Sequence, residues 1–217
     1  MKTATTLAYQ PRKTPIQARA AVTVEAIEEA TIQVLLAGGL DLLTTNRVAK
    51  RAGVSVGTLY QYYPNKQSLL FALFEQHMEK VSETMETACD NARGKPLLEM
   101  VGEVVQRFLD AKLARTDIST ALYKISGEIG GPSIVRRTTN RCRKALVDLI
   151  QTAPDLVLPP DKFAVELMFA AMSGATRTVL EAGATPAMVS NLRKHLVLLC
   201  QSYMVAATRP VPLTFIG

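Results

Sequence analysis

Residues Thr44 to Lys66 read TTNRVAKRAGVSVGTLYQYYPNK, with a small residue, a glycine and a capping serine at set intervals. The pattern predicts two short helices, Thr45 to Ala52 and Val56 to Tyr63, joined by a tight turn. Ala49 is small where a second helix must cross the first closely. Gly53 stands four residues later and can take the left-handed conformation that such a turn requires. Val48, Val54 and Leu59 fall on inward faces and can fill a small core between the helices. Ser55 is placed to cap the second helix, and Pro64 helps to end it. These are the parts of a helix-turn-helix.

The polar groups left over point to a polyanion. Thr44 or Thr45 starts the first helix, whose free N–H groups suit a phosphate. Val56, Gly57 and Thr58 open the second helix, the end that meets base edges in a major groove. Gly57 permits close approach, Thr58 can hydrogen-bond, and Val56 can touch a thymine methyl. Tyr60, Tyr62 and Lys66 suit backbone phosphates, which hold register without reading sequence.

Working outward, residues Met1 to Ala21 are polar and basic, carry Pro11 and Pro15, and show no helical period, which predicts a flexible arm. Arg12, Lys13 and Arg19 of this arm either follow DNA into a minor groove or only solubilise the chain. From Val22 a helix is expected, with Val24, Ile27, Thr31, Val34 and Leu35 on one face and Gly38-Gly39 at its end. After Pro64-Asn65 comes a long helix with Leu70, Leu73, Phe74, His77, Met78, Val81 and Met85 on its apolar face. Run to about Arg93, it would be roughly 40 Å long and able to join two domains. Another helix follows Gly94-Lys95-Pro96, and further ones are expected at Asp117 to Glu128, Pro132 to Gln151, Pro160 to Glu181 and Thr185 to Ala207. No strand pattern appears, so the predicted class is all-α.

The chain has 217 residues and a formal net charge of +6, with a pI near 9.3. Up to Lys66 the cations are Lys2, Arg12, Lys13, Arg19, Arg47, Lys50, Arg51 and Lys66, against Glu25, Glu28, Glu29 and Asp41. Much of the excess therefore sits at the end that carries the helix-turn-helix, as expected of a surface that meets phosphates. Cys89, Cys142 and Cys200 lack metal-ligand or disulfide spacing, which favours reduced thiols in the cytoplasm. No signal-peptide run is present. The most apolar stretch, Phe163 to Leu180, includes Glu166 and Arg177, which favours a buried helix over a membrane span.

The stretch Val22 to Val81, above all LTTNRVAKRAGVSVGTLYQYYPNKQSLL, resembles the DNA-binding domain of the TetR family of transcriptional regulators. The rest of the chain is similar to that family in helical content and order. The resemblance implies an arm at 1–21, a three-helix DNA-binding domain at 22–66 with a linking helix to about 93, and a helical ligand-binding and dimerisation domain at 67–217. It implies a homodimeric repressor released from a roughly palindromic operator by a small molecule. By motif position it assigns DNA contacts to Thr45, Arg47, Val56, Gly57, Thr58, Tyr60, Tyr62 and Lys66, beside the capping residues Thr44 and Ser55. It also implies that Pro160–Glu181 and Thr185–Ala207 pair with their copies in a four-helix bundle. An activator, or a regulator answering a protein partner or a redox signal, would use the same head.

The body yields fewer assignments. Phe108, Tyr123, Met168 and Met172 are candidates for lining a ligand cavity, against the simpler reading of ordinary core packing. Glu128, Arg107 and Arg177 could orient a polar ligand or lie solvated at the surface. His77 and His195 are isolated, and no metal constellation or cofactor motif appears. No Ser/His/Asp set, Cys/His pair, phosphate loop or carboxylate cluster suggests an enzyme. Cys142 stands beside Arg141 and Arg143, which could lower its pKa and make a redox sensor, or it is an inert core thiol.

Overall fold

A computed structural model describes residues 18–127, 129–156 and 158–208. The described residues form nine helices: α1 (Ala18–Leu42), α2 (Thr45–Ala52), α3 (Val56–Tyr62), α4 (Lys66–Ala92), α5 (Leu97–Leu113), α6 (Thr116–Ile125), α7 (Gly131–Ile150), α8 (Lys162–Glu181) and α9 (Pro186–Ala207). No strand occurs among them, and the protein is all-α.

Most helix ends follow local chemistry. Thr44 caps α2 by accepting from the Arg47 N–H at 3.3 Å, and Ser55 caps α3 by accepting from the Thr58 N–H at 2.9 Å. Asn65 and Ser68 exchange hydrogen bonds at the start of α4, a reciprocal cap. Asp161 and Thr185 cap α8 and α9. Helix α1 departs from expectation at its start, and its regular backbone is broken, as expected, at Gly38-Gly39. It is already helical at Ala18, so the last four residues expected in the arm are helical; the rest of that arm lies outside the described residues. At its far end the left-handed position is Gly39 alone, with φ 65°, whereas Gly38 is extended at φ −158°. Gly38 is required for a different reason: a Cβ there would run into the Leu42 side chain.

The chain divides into two compact units. The first takes the described residues up to Met78 together with Asp117–Arg136. Its core holds Ile27 and Leu35 of α1, Val48 and Ala49 of α2, Leu59 of α3, and Leu70, Phe71 and Phe74 of α4. Leu122, Ile125, Ile129 and Ile134 join this core, although sequence order alone places them with the body. The Tyr123 ring meets Phe74 edge-on, with centroids 6.5 Å apart.

The second unit takes Glu79–Thr116 and Arg137 onward. Helix α9 packs on α5 and α8 around Met100, Val104, Phe108, Leu146, Met168, Phe169, Met172, Leu196 and Met204. Arg141 of α7 grips both Glu79 and Glu86 of α4, and its hydrogen bonds hold the Glu86 carboxyl below the usual carboxylate range. Helix α8 is long and apolar enough to span a membrane by length and composition, a test that core helices also pass. Val165, Met168, Phe169 and Met172 of α8 are buried in this core.

Candidate nucleic-acid interface

The α2–α3 pair is held by few residues. Val48 and Leu59 are completely buried, Ala49 nearly so, and Val54 is half-buried between them. Gly53 ends α2 at φ 69°, ψ 26°, and the Val54 N–H donates to the Ala49 carbonyl at 3.0 Å to close the turn. Both φ > 0 and the absence of a Cβ penalty make glycine the natural residue here.

Each DNA contact expected from sequence now has a place. Thr45 Oγ1 and the Tyr60 hydroxyl lie 3.2 Å apart, joining the first turn of α2 to the exposed face of α3. Arg47 is exposed, and its guanidinium donates to the Leu42 carbonyl at 3.3 Å. Thr44 and Ser55 are occupied as caps but stay exposed. Val56 and Tyr62 are half-buried and pack against the core, leaving only part of each free for a ligand. Gly57 is exposed. Thr58 is half-buried with its hydroxyl 2.9 Å from Ser55 Oγ. Lys66 is half-buried, and its ammonium reaches the Leu40 carbonyl at 3.5 Å.

Sequence reasoning passed over two neighbouring side chains. Tyr63 is the buried tyrosine of the run, and its hydroxyl donates to Glu28 at 3.0 Å. Gln76 donates to the other oxygen of the same carboxylate. Burial pushes the Glu28 carboxyl up against the pull of these two donors, and burial also drives the Tyr63 phenol well above its ordinary range. The signal was present: Leu59 and Tyr63 are four apart and share a helix face. Gln61 is the second, exposed on α3.

The remaining candidates are scattered. Phe108, Met168 and Met172 share the core of the second unit, where Phe108 meets Phe169 edge-on at 6.0 Å. Tyr123 belongs to the first unit, so the contacts within units join three of the four residues rather than all. Arg107 pairs with Asp110 and Arg177 with Glu181, while Glu128 lies outside the described residues. His77 Nε2 is 3.3 Å from Ser119 Oγ, and His195 is exposed. Among the described residues no group of three or more His, Cys, Asp or Glu is gathered as a metal would need. Cys142 is buried, and burial raises its pKa despite the nearby Arg141, which favours the inert core thiol over the redox sensor. Arg141 is drawn to Glu79 and Glu86, and Arg143 to Glu166.

On the outer side of the second unit, α8 and α9 expose Phe163 (65%), Leu167 (46%), Leu198 (58%) and Leu199 (52%). Side chains four apart on one helix lie one above the other, so Phe163 and Leu167 form a single stripe.

Comparison with known proteins covers both units. Residues 27–73 match the model of the bacterial regulatory proteins of the tetR family, and residues 96–204 match that of the tetracyclin repressor-like C-terminal domain. The fatty acid metabolism regulator protein of Bacillus subtilis is 37% identical over 60 residues, 28% of this chain and 31% of that protein. The transcriptional repressor KstR of Mycolicibacterium smegmatis is 36% identical over 62 residues, 29% of this chain and 30% of that protein. The chain thus aligns with about a third of the length of these curated relatives. A crystal structure of the Bacillus subtilis regulator FadR with stearoyl-CoA superposes at a TM-score of 0.60 and 17% identity. It covers 82% of this chain and 98% of that one, a likeness of fold.

Proposed function

The chain belongs to the TetR family of bacterial regulatory proteins, and on that premise we propose that it is a homodimeric repressor which a small molecule releases from its operator. The observation that carries this reading is the capped α2–α3 pair, with hydroxyls, amide and guanidinium on its outer face. Thr45, Arg47, Tyr60, Tyr62 and Lys66 hold phosphates, and the exposed face of α3 reads bases in a major groove. On this reading the protein works in the cytoplasm beside its DNA, as a regulator rather than an enzyme.

The exposed Phe163 and Leu167 of α8 and Leu198 and Leu199 of α9 support dimerisation through these helices, since exposed apolar side chains gain by meeting their copies. A dimer brings two recognition helices to half-sites about 34–36 Å apart on a roughly palindromic operator. An effector lowers affinity only by binding better to an arrangement that breaks this spacing. Phe108, Met168 and Met172 are the residues we propose to line its pocket, in the apolar core of the second unit. A related fold that holds stearoyl-CoA supports an effector with a large apolar part.

Selection of bound duplexes from a random library tests the reading. An inverted repeat with half-sites one helical turn apart is expected. Recovery of single half-sites, or of no consensus, would refute the dimeric operator reader. A reporter fused to the recovered sequence is expected to fall silent with the protein present.

A further inference from the structure

On the recognition helix, most of the groups expected to contact DNA are already engaged. The Thr58 hydroxyl sits at 2.9 Å from Ser55, and its backbone N–H donates to the same cap. Tyr60 turns its hydroxyl to Thr45. Val56 and Tyr62 spend part of their surface on the core, and Gly57 has no side chain. Gln61 differs from all of these. It is exposed, and among the described residues its amide has no hydrogen-bond partner within the protein.

Position gives that amide a direction. A helical side chain leans toward the helix N-terminus and covers the turn before its own Cα. One turn, about 5.4 Å, before Gln61 stands Gly57. A Cβ built at Gly57 would meet nothing closer than Ser55 Oγ at 3.6 Å, so the surface over this turn is open. The glycine leaves a vacant patch at the end of α3 that enters the groove, and the Gln61 amide is the group with the reach to occupy it.

We propose that Gln61, lying over the bare turn at Gly57, is the principal base-reading side chain and that it selects adenine. A carboxamide offers one acceptor and one donor in a plane, which pair with the N6 donor and N7 acceptor of adenine in the major groove. No other base presents that donor–acceptor order there. The inference rests on the operator-binding reading and assigns the base that this face prefers. Gly57 serves it as a positioning residue, keeping the patch clear.

The test is library selection with the full chain, repeated for Gln61→Ala, Gln61→Glu and Gly57→Ala after circular dichroism and sedimentation confirm parental helicity and assembly. The parent is expected to require adenine at one position in each half-site. Gln61→Ala loses the preference at that position alone, and its affinity for the parental operator falls on the order of ten- to hundredfold. Gln61→Glu shifts the preference there to cytosine, whose N4 group donates to a carboxylate. Gly57→Ala weakens discrimination at the same position. Replacing that adenine by 7-deazaadenine removes the N7 acceptor and weakens the parent but leaves Gln61→Ala unchanged. Selection of an unaltered consensus by the Gln61 variants, whether at full affinity or weakened equally for every sequence, overturns the assignment while leaving operator binding intact. A parent that selects no DNA would instead refute the reading beneath it.

Discussion

The α2–α3 pair and the α8–α9 pair both leave side chains uncovered, yet only the second leaves large aliphatic ones. The first exposes Asn46, Arg47, Lys50, Gly57, Tyr60 and Gln61; the second exposes Phe163, Leu167, Leu198 and Leu199. Polar groups on the first lose little in water and can exchange it for phosphates and base edges. Apolar groups on the second gain only when another surface excludes water from them. One region is therefore finished as a protein surface and waits for a polymer. The other gains by being covered.

The sharpest way to break this contrast is to make the second region resemble the first. In the double variant Leu167→Asp, Leu198→Asp the chain is expected to sediment as a monomer. Operator affinity should then fall by about 10²–10⁴-fold, because two half-sites are no longer engaged together. A dimer that binds as the parent does would remove α8 and α9 from the interface.

Next in size is Leu59→Ala, which empties the completely buried centre of the helix-turn-helix. A cost of about 2–5 kcal/mol is expected in chemical denaturation. An unchanged transition would show that the small core between α2 and α3 contributes little.

Tyr63→Phe removes a donor from the Glu28 carboxylate and is expected to cost about 1–2 kcal/mol at neutral pH. The Glu28 pKa is raised by burial, and losing the Tyr63 donor raises it further. The deficit is therefore largest above the folded-state pKa, where the carboxylate is ionised, and shrinks as pH falls through it. Denaturation of parent and variant across that range checks the sign; a deficit that grows in acid would contradict it.

Tyr60→Phe is the mildest change. It keeps the ring and deletes the hydroxyl that faces Thr45. Affinity is expected to fall about three- to tenfold for every sequence alike, with no change in consensus. A change in consensus would move Tyr60 from register to readout.

Not every part of the fold could be read from its sequence. Helix α2 was placed to the residue and α3 to within one, because Thr44, Gly53 and Ser55 act within a single turn of the boundaries they set. The helical residues Ala18 to Ala21 were missed because the apolar face that announces α1 begins only at Val24. The grouping of Leu122, Ile125 and Ile134 with the head was not legible, since it depends on contacts between residues far apart in the chain. Within the site, Val48, Leu59 and the caps announced themselves by spacing. The engaged state of the Thr58 and Tyr60 hydroxyls did not, and with it the weight falling on Gln61, because only a fold shows which polar groups have already met.

The cysteines have a practical consequence. All three are buried in the second unit, and burial pushes Cys89 and Cys200 up to about 12. At neutral pH their thiolates are scarce and shielded, so an alkylating probe must wait for that unit to open. The unit thus carries its own stopwatch. Mass spectrometry of time-resolved alkylation should report slow labelling governed by opening, and an effector seated among Phe108, Met168 and Met172 should slow it further.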